Sequence, residues 1–321
     1  MSMRTWLVAL VVAVVGLSVP STAAAAPLPT LRQPCPDLYV LAIPGTWADI
    51  AEPGILREVT DGLGPRSRST YVGYDATAFP WEKAIYGRSK AQAVANATGL
   101  ATMMLRRCPH TKVAFTGYSQ GADAAGDVAA EIGTGRAAIR PDQVAGVVLI
   151  SDPRRSRRDT LIGPSVTGQG SGGPRLTGMG RLSARTYTIC APKDLYCNTP
   201  RESYVTRIVG YLAETSDPTP SQMNQYQAEA GAILDEMLTQ GGIGAVGREV
   251  SNQRARQQII VFNRFIQSGA HTDYGDFEVR PGITAVRWAH EFLARLASAP
   301  PSSVPSPAAP SSATRQPSDK E

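Results

Sequence analysis

Apolar positions along the chain fall into two alternating patterns. Short, nearly continuous apolar runs of strand length recur at Leu38 to Gly45 (LYVLAIPG), in KVAFTG from Lys112 to Gly117, and in VAGVVLISDP from Val144 to Pro153. STYVGYDA (69 to 76) and ARTYTIC (184 to 190) read as further strands. Between them lie stretches with apolar and small residues at helical spacing, chiefly GRSKAQAVANATGLATMMLRRCP (87 to 109) and the Ala-rich segment running to about Ile132. Runs apolar on both faces suit buried parallel strands, and strands alternating with helices predict a doubly wound, mostly parallel α/β sheet.

Three regions depart from that pattern. Residues 163 to 182 are rich in Gly and Pro and predict a long, mobile loop. Residues 200 to 265 read as added helices. There Met223, Tyr226, Ala230, Ile233 and Met237 form one apolar stripe, which suits core packing or a lid over an apolar substrate site. From Ala299 to Glu321 the Pro- and Ser-rich tail has too little apolar content for a core and predicts disorder.

The N-terminus adds a compartment. Arg4 precedes an apolar run from Trp6 to Val19 and then STAAAAP, the order of a secretory signal peptide, so residues 1 to 26 are expected to be removed near Ala24 to Ala26. An uncleaved anchor is the alternative. The four cysteines, Cys35, Cys108, Cys190 and Cys197, all follow it, and an even number in an exported chain favours two disulfides. Three pairings are formally open. Cys190 and Cys197 enclose only six residues, which makes them the local pair and leaves Cys35 for Cys108. None of their spacings suits zinc, and no metal or other cofactor is implied.

The net charge of +5 is small for 321 residues. The local cluster Arg154, Arg155, Arg157 and Arg158, beside Asp152 and Asp159, reads as a solvated loop or an anion contact and not as a nucleic-acid site.

The chemistry is concentrated in Gly117-Tyr118-Ser119-Gln120-Gly121, where a strand gives way to a helix. A serine hydroxyl is a weak nucleophile without a base and an oxyanion-stabilising environment. A sharp strand-to-helix turn exposes its Oγ and places the next N–H at a helix N-terminus. That turn needs small residues two before and two after, which Gly117 and Gly121 supply. The base must be one of three histidines. His110 lies at the opposite end of the strand, and His290 lies in the helical stretch AVRWAHEFLARLA. His271, in the loop SGAHTDYGDF late in the chain, is preferred, with His290 as the alternative. For the acid, Asp152 after the fourth strand and Asp194 inside CAPKDLYC both satisfy the chain order of serine, acid, histidine.

Taken together, the GYSQG turn, the acid inside Cys-x3-Asp-x2-Cys, the histidine followed three residues later by tyrosine, and the cysteine before the first strand resemble the cutinase family. IPGTW and SDPRR are similar to its actinobacterial, mycobacterial-type esterase branch. The resemblance covers roughly residues 35 to 200 and 265 to 297. It implies a cutinase-like α/β-hydrolase, a three-layer sandwich around a central mostly parallel sheet spanning 27 to 298, with a helical insertion at 200 to 265 before the histidine. It further implies Ser119 as nucleophile, His271 as base and Asp194 as acid, with an oxyanion hole from the Gln120 and Thr46 N–H groups. Asp152 then becomes structural. Small cutinases have a short acid-to-histidine connection, whereas 76 residues intervene here.

The function expected is a secreted serine esterase, a monomer without cofactor, acting on acyl ester or lipid substrates and touching envelope lipids peripherally. Two alternatives stand beside it: a carbohydrate deacetylase on the same fold, and a non-catalytic envelope-binding protein.

Overall fold

The computed structural model describes residues 34–79, 81–216, 257, 260, 261, 264, 265 and 267–299. The expected signal peptide, the Met223 to Met237 stripe and the tail beyond Ala299 lie outside them.

Alternation within the first apolar run explains the layering. In β1 (Leu38–Ile43), Leu38, Val40 and Ala42 belong to one hydrophobic cluster, while Tyr39, Leu41 and Ile43 belong to the other. Side chains of a strand point alternately to opposite faces, so a strand apolar at every position must be covered on both. The sheet has six parallel strands. In chain order they are β1, β2 (Ser67–Tyr71), β3 (Lys112–Tyr118), β4 (Val144–Ile150), β5 (Thr160–Ile162) and β6 (Thr186–Ile189). In space they run β2-β1-β3-β4-β6-β5. A separate antiparallel pair, β7 (Glu278–Arg280) and β8 (Ile283–Thr284), follows late in the chain.

Helices α2 (Tyr86–Arg107) and α3 (Gln120–Gly133) cover one face, with Ala93, Ala97, Ala101, Ala125 and Ala129 in that core. Small side chains let these helices lie close to the sheet and to each other. The short α1 (Leu56–Thr60) and the last described helix, α5 (Ala285–Ser298), cover the other face through Leu56, Val59, Ala289 and Leu293. Among the described residues no helix is long and apolar enough to cross a membrane.

Sheet order determines where a site forms. The chain leaves β1 towards β2 on one side, and leaves β3 towards β4 on the other. The crevice at the carboxyl ends of β1 and β3 is therefore the topological switch point, where open α/β sheets bind ligands.

The expected strand STYVGYDA begins earlier, at Ser67, and ends at Tyr71. The expected mobile loop of 163 to 182 is instead packed into the body. Arg175 is buried, and an added Cβ on Gly170 would lie 2.1 Å from the Pro153 carbonyl oxygen. Its glycines serve close backbone approach and not freedom. The first of the added helices is present as α4 (Tyr204–Glu214).

Candidate active site

Ser119 stands alone between the end of β3 and the start of α3, with φ +57° and ψ −125°. That backbone conformation is rare for a residue with a Cβ and needs outside support. Support comes from hydrogen bonds of Ser119 N–H to the Ile150 carbonyl (3.0 Å) and of Asp123 N–H to the Ser119 carbonyl (3.0 Å).

The two flanking glycines have separate steric reasons. A Cβ on Gly117 would fall 2.1 Å from the Gly121 carbonyl oxygen, across the turn itself. One on Gly121 would fall 2.0 Å from the Ile43 carbonyl oxygen and 2.3 Å from that of Pro44, at the end of β1. Gly121 thus lets the loop after β1 close onto the serine. A Cβ on Gly45 would in turn lie 3.4 Å from the Ser119 Cβ. The next residue, Thr46, is half-buried. Gln120 opens α3, where the first N–H groups have no partner within the helix. Its side chain points elsewhere, donating through Nε2 to the carbonyls of Thr77 (3.0 Å) and Tyr86 (3.4 Å).

Asp194 is wholly buried in the loop after β6. Cys190 and Cys197 are bonded across that loop, and Cys35 is bonded to Cys108, as read from the spacings. The loop is braced further by Asp194 N–H donating to the Ala191 carbonyl (3.0 Å) and Tyr196 N–H to Asp194 Oδ1 (2.9 Å). Arg155 adds a third brace through Nε to the Cys197 carbonyl (2.8 Å) and Nη2 to that of Gly168. Arg154 and Arg155 are therefore buried structural cations, contrary to the solvated loop expected. Arg157 and Arg158 alone of that cluster are exposed.

His271 completes a hydrogen-bonded chain. Its Nε2 lies 2.8 Å from Ser119 Oγ and its Nδ1 lies 3.0 Å from Asp194 Oδ2. A buried carboxylate can only accept, so Nδ1 carries the proton and Nε2 is free to accept from the serine. The ring is flanked by Tyr196, with centroids 4.4 Å apart, and by Tyr118 at 5.3 Å. Asp194 Oδ2 also accepts from the Tyr274 hydroxyl (2.7 Å) and from the Ser151 hydroxyl. Burial first, then the Asp194 charge, raises the Tyr274 phenol well above its ordinary pKa, so it remains a donor. Of the other histidines, His110 is exposed and His290 lies on α5.

Asp152 turns to a different network. Its carboxylate accepts from Arg175 Nη1 (2.7 Å) and from the Arg154 N–H (2.9 Å). Arg175 also reaches Asp127 (2.8 Å) and Asp123 (3.1 Å), while Lys90 lies 3.4 Å from Asp123, 3.2 Å from Asp127, and donates to Glu214. Three buried cations, Lys90, Arg154 and Arg175, thus face four acids behind α3 among the described residues. Burial works to raise the Asp127 carboxyl, but Lys90, Arg175 and Arg154 outweigh it and hold it below the usual range. Glu214 goes the other way: burial, then the Asp123 charge, raises it well above an ordinary glutamate.

Sequence reasoning missed Ser151, Tyr196 and the phenol of Tyr118. The Tyr118 hydroxyl donates to the His271 carbonyl. Only the position of Tyr118 inside the GYSQG turn pointed towards it.

A parallel sheet with a lone serine in a strained turn at its switch point, hydrogen-bonded to a histidine and a buried aspartate, is the architecture of an α/β-hydrolase. The Cutinase family model matches residues 35–225, and the chain belongs to the cutinase family of serine ester hydrolases. The match ends before His271. The chain is similar to the Carboxylesterase Culp6 homolog of Corynebacterium glutamicum, at 29% identity across 52% of this chain and 66% of that protein, just under two thirds of its length. It is also similar to Carboxylesterase Culp1 of Mycobacterium tuberculosis, at 30% identity across 51% of this chain and 70% of that one. Among solved structures, lysin B from Mycobacteriophage D29 shares the fold at 18% identity and a TM-score of 0.50, covering 80% of this chain and 99% of its own.

Proposed function

We infer that this protein is an exported serine esterase that hydrolyses acyl esters through a covalent acyl-enzyme. The observation that carries the reading is the continuous chain from Ser119 Oγ through His271 to buried Asp194. His271 Nε2 takes the hydroxyl proton as Oγ attacks the acyl carbonyl, and the Gln120 and Thr46 N–H groups receive the developing oxyanion. Asp194 stabilises the imidazolium, which then protonates the departing alcohol. Water, deprotonated by the same imidazole, releases the acid and restores Ser119.

Apolar surface at the rim supports acyl lipids over acetylated carbohydrate as substrates. Trp47, directly after Thr46, is 69% exposed, and Trp81 is 78% exposed. Phe79 stands between them, with ring centroids 4.8 Å from Trp81 and 6.1 Å from Trp47. Export is supported by the two disulfides, which persist in oxidising compartments, and by the N-terminal pattern of residues 1 to 26. Phospholipid and thioester substrates fall within the same chemistry.

The test is a series of p-nitrophenyl esters from acetate to palmitate, with Ser119→Ala as control. Turnover rising with chain length and absent from Ser119→Ala is expected. Turnover of acetate alone points to a deacetylase, and equal turnover by Ser119→Ala overturns the reading.

A further inference from the structure

We propose that Ser151 is a positioning residue of this active site, its hydroxyl bridging Asp194 and His271 so that Nε2 is aimed at Ser119. The proposal rests on the esterase reading above and deepens it.

Ser151 follows β4 directly, is wholly buried, and has φ +55°. Glycine adopts this left-handed conformation without steric penalty, whereas serine does not. A turn with no further task would be better served by glycine, so the hydroxyl needs a reason. The backbone holds Ser151 in place through its N–H, which donates to the Ile189 carbonyl at the end of β6 (2.9 Å). Its Oγ then meets three groups of the site: it donates to Asp194 Oδ2, lies 3.0 Å from His271 Nδ1, and neighbours the Tyr274 phenol.

A hydroxyl has one proton to give and lone pairs with which to accept. With that proton committed to the carboxylate, Ser151 can only accept from the imidazole. The Nδ1–H is therefore shared between Asp194 Oδ2 and Ser151 Oγ, each at 3.0 Å. Two acceptors at different angles fix both the tautomer and the rotation of the ring, where a single carboxylate oxygen would leave the ring freer to swing. When Ser119 gives up its proton, the same pair holds the imidazolium. Tyr274 already donates to the same carboxylate oxygen and the Tyr196 N–H to the other, so filling the acid's lone pairs does not by itself require Ser151.

The experiment compares native protein with Ser151→Gly and Ser151→Ala. Glycine removes the hydroxyl while suiting φ +55°, so folding is not strained; alanine removes it and keeps the strain. Both variants are expected to lose about tenfold to a hundredfold in kcat on a p-nitrophenyl ester, with KM changed by less than about threefold, as for a lost charge-assisted hydrogen bond. The Nδ1–H proton resonance of His271 should move in both, and the thermal midpoint of Ser151→Gly should match or exceed that of Ser151→Ala. Native kcat and an unmoved resonance in Ser151→Gly overturn the proposal. Labelling of Ser119 by a fluorophosphonate separates the two levels. If the native protein is labelled and Ser151→Gly is labelled as fast, only the role of Ser151 falls. If the native protein is not labelled at all, the esterase reading falls and takes this inference with it.

Discussion

Tyr118 and His271 are joined twice: the Tyr118 hydroxyl donates to the His271 carbonyl, and the two rings lie face to face with centroids 5.3 Å apart. The residue preceding Ser119 thus braces the loop that carries His271, 153 positions further on. Tyr118→Phe keeps the stacking and removes the hydrogen bond. It should lower stability by about 1 kcal/mol, the usual net worth of one such bond. It should also lower kcat several-fold as the loop loosens; denaturant melts and steady-state kinetics on one ester measure both.

Reduction of Cys190–Cys197 frees the loop that presents Asp194. Activity should fall by at least about tenfold, because in the proposed triad Asp194 works by orienting the imidazole. Titrating activity against the reduced fraction of that bridge, mapped by thiol alkylation, checks this. Full activity with the bridge open would mean that Arg155 and the loop's backbone hydrogen bonds suffice.

Glu214 sets a pH dependence of stability. Its raised pKa means that the folded protein keeps a proton which the unfolded chain releases above about pH 4.5. The native state then binds more protons than the unfolded one, so stability falls as pH rises from there, by up to about 1.4 kcal/mol per pH unit for one group. Asp152, raised chiefly by burial, acts in the same direction. Asp127, held low by its cations, acts oppositely: its contribution is present above about pH 4 and is lost on acidification. Glu214→Gln retains a polar partner for Lys90 and removes the titration. Urea melts between pH 5 and 8 should show a flatter profile and a more stable protein at pH 8; a slope unchanged from native would contradict this.

Under the proposed acyl-lipid reading, the row Trp47, Phe79 and Trp81 selects for substrate size. Trp81→Ser removes the most exposed of the three rings without touching the hydrogen-bonded chain of the site. Hydrolysis of long-chain emulsified esters should drop by about tenfold, while soluble acetate esters stay within about twofold, since a buried aromatic contact is worth roughly 1.5–3 kcal/mol. Equal loss on both would assign the row to folding instead.

Much of this arrangement is written in short-range pattern. β1, β3 and β4 are legible because strands covered on both faces are apolar at nearly every position. The turn at Ser119 is legible because two glycines at fixed spacing have a steric meaning there. Asp194 and Asp152 could not be separated from the residues alone, since both follow strands. What separates them is a partner remote in sequence: His271 for one and Arg175 for the other. Composition misled where burial decides. Arg154 and Arg155 read as solvated because charges usually are, yet Glu214 and the carbonyls of Gly168 and Cys197 receive them inside. The Gly-rich stretch read as loose because composition does not record that Gly168 and Gly170 lie against the backbone of Thr199 and Pro153. Ser151 was invisible for the same reason as Arg175: nothing local says which way a single side chain faces.

The most direct measurement is mass spectrometry of the intact native protein after brief exposure to a fluorophosphonate, followed by peptide mapping. One adduct on Ser119 is expected, absent from Ser119→Ala and formed far more slowly in His271→Ala, because only an oxygen paired with that imidazole is activated. An unmodified native protein, or an adduct on another residue that persists in Ser119→Ala, would contradict the assignment of Ser119 as nucleophile.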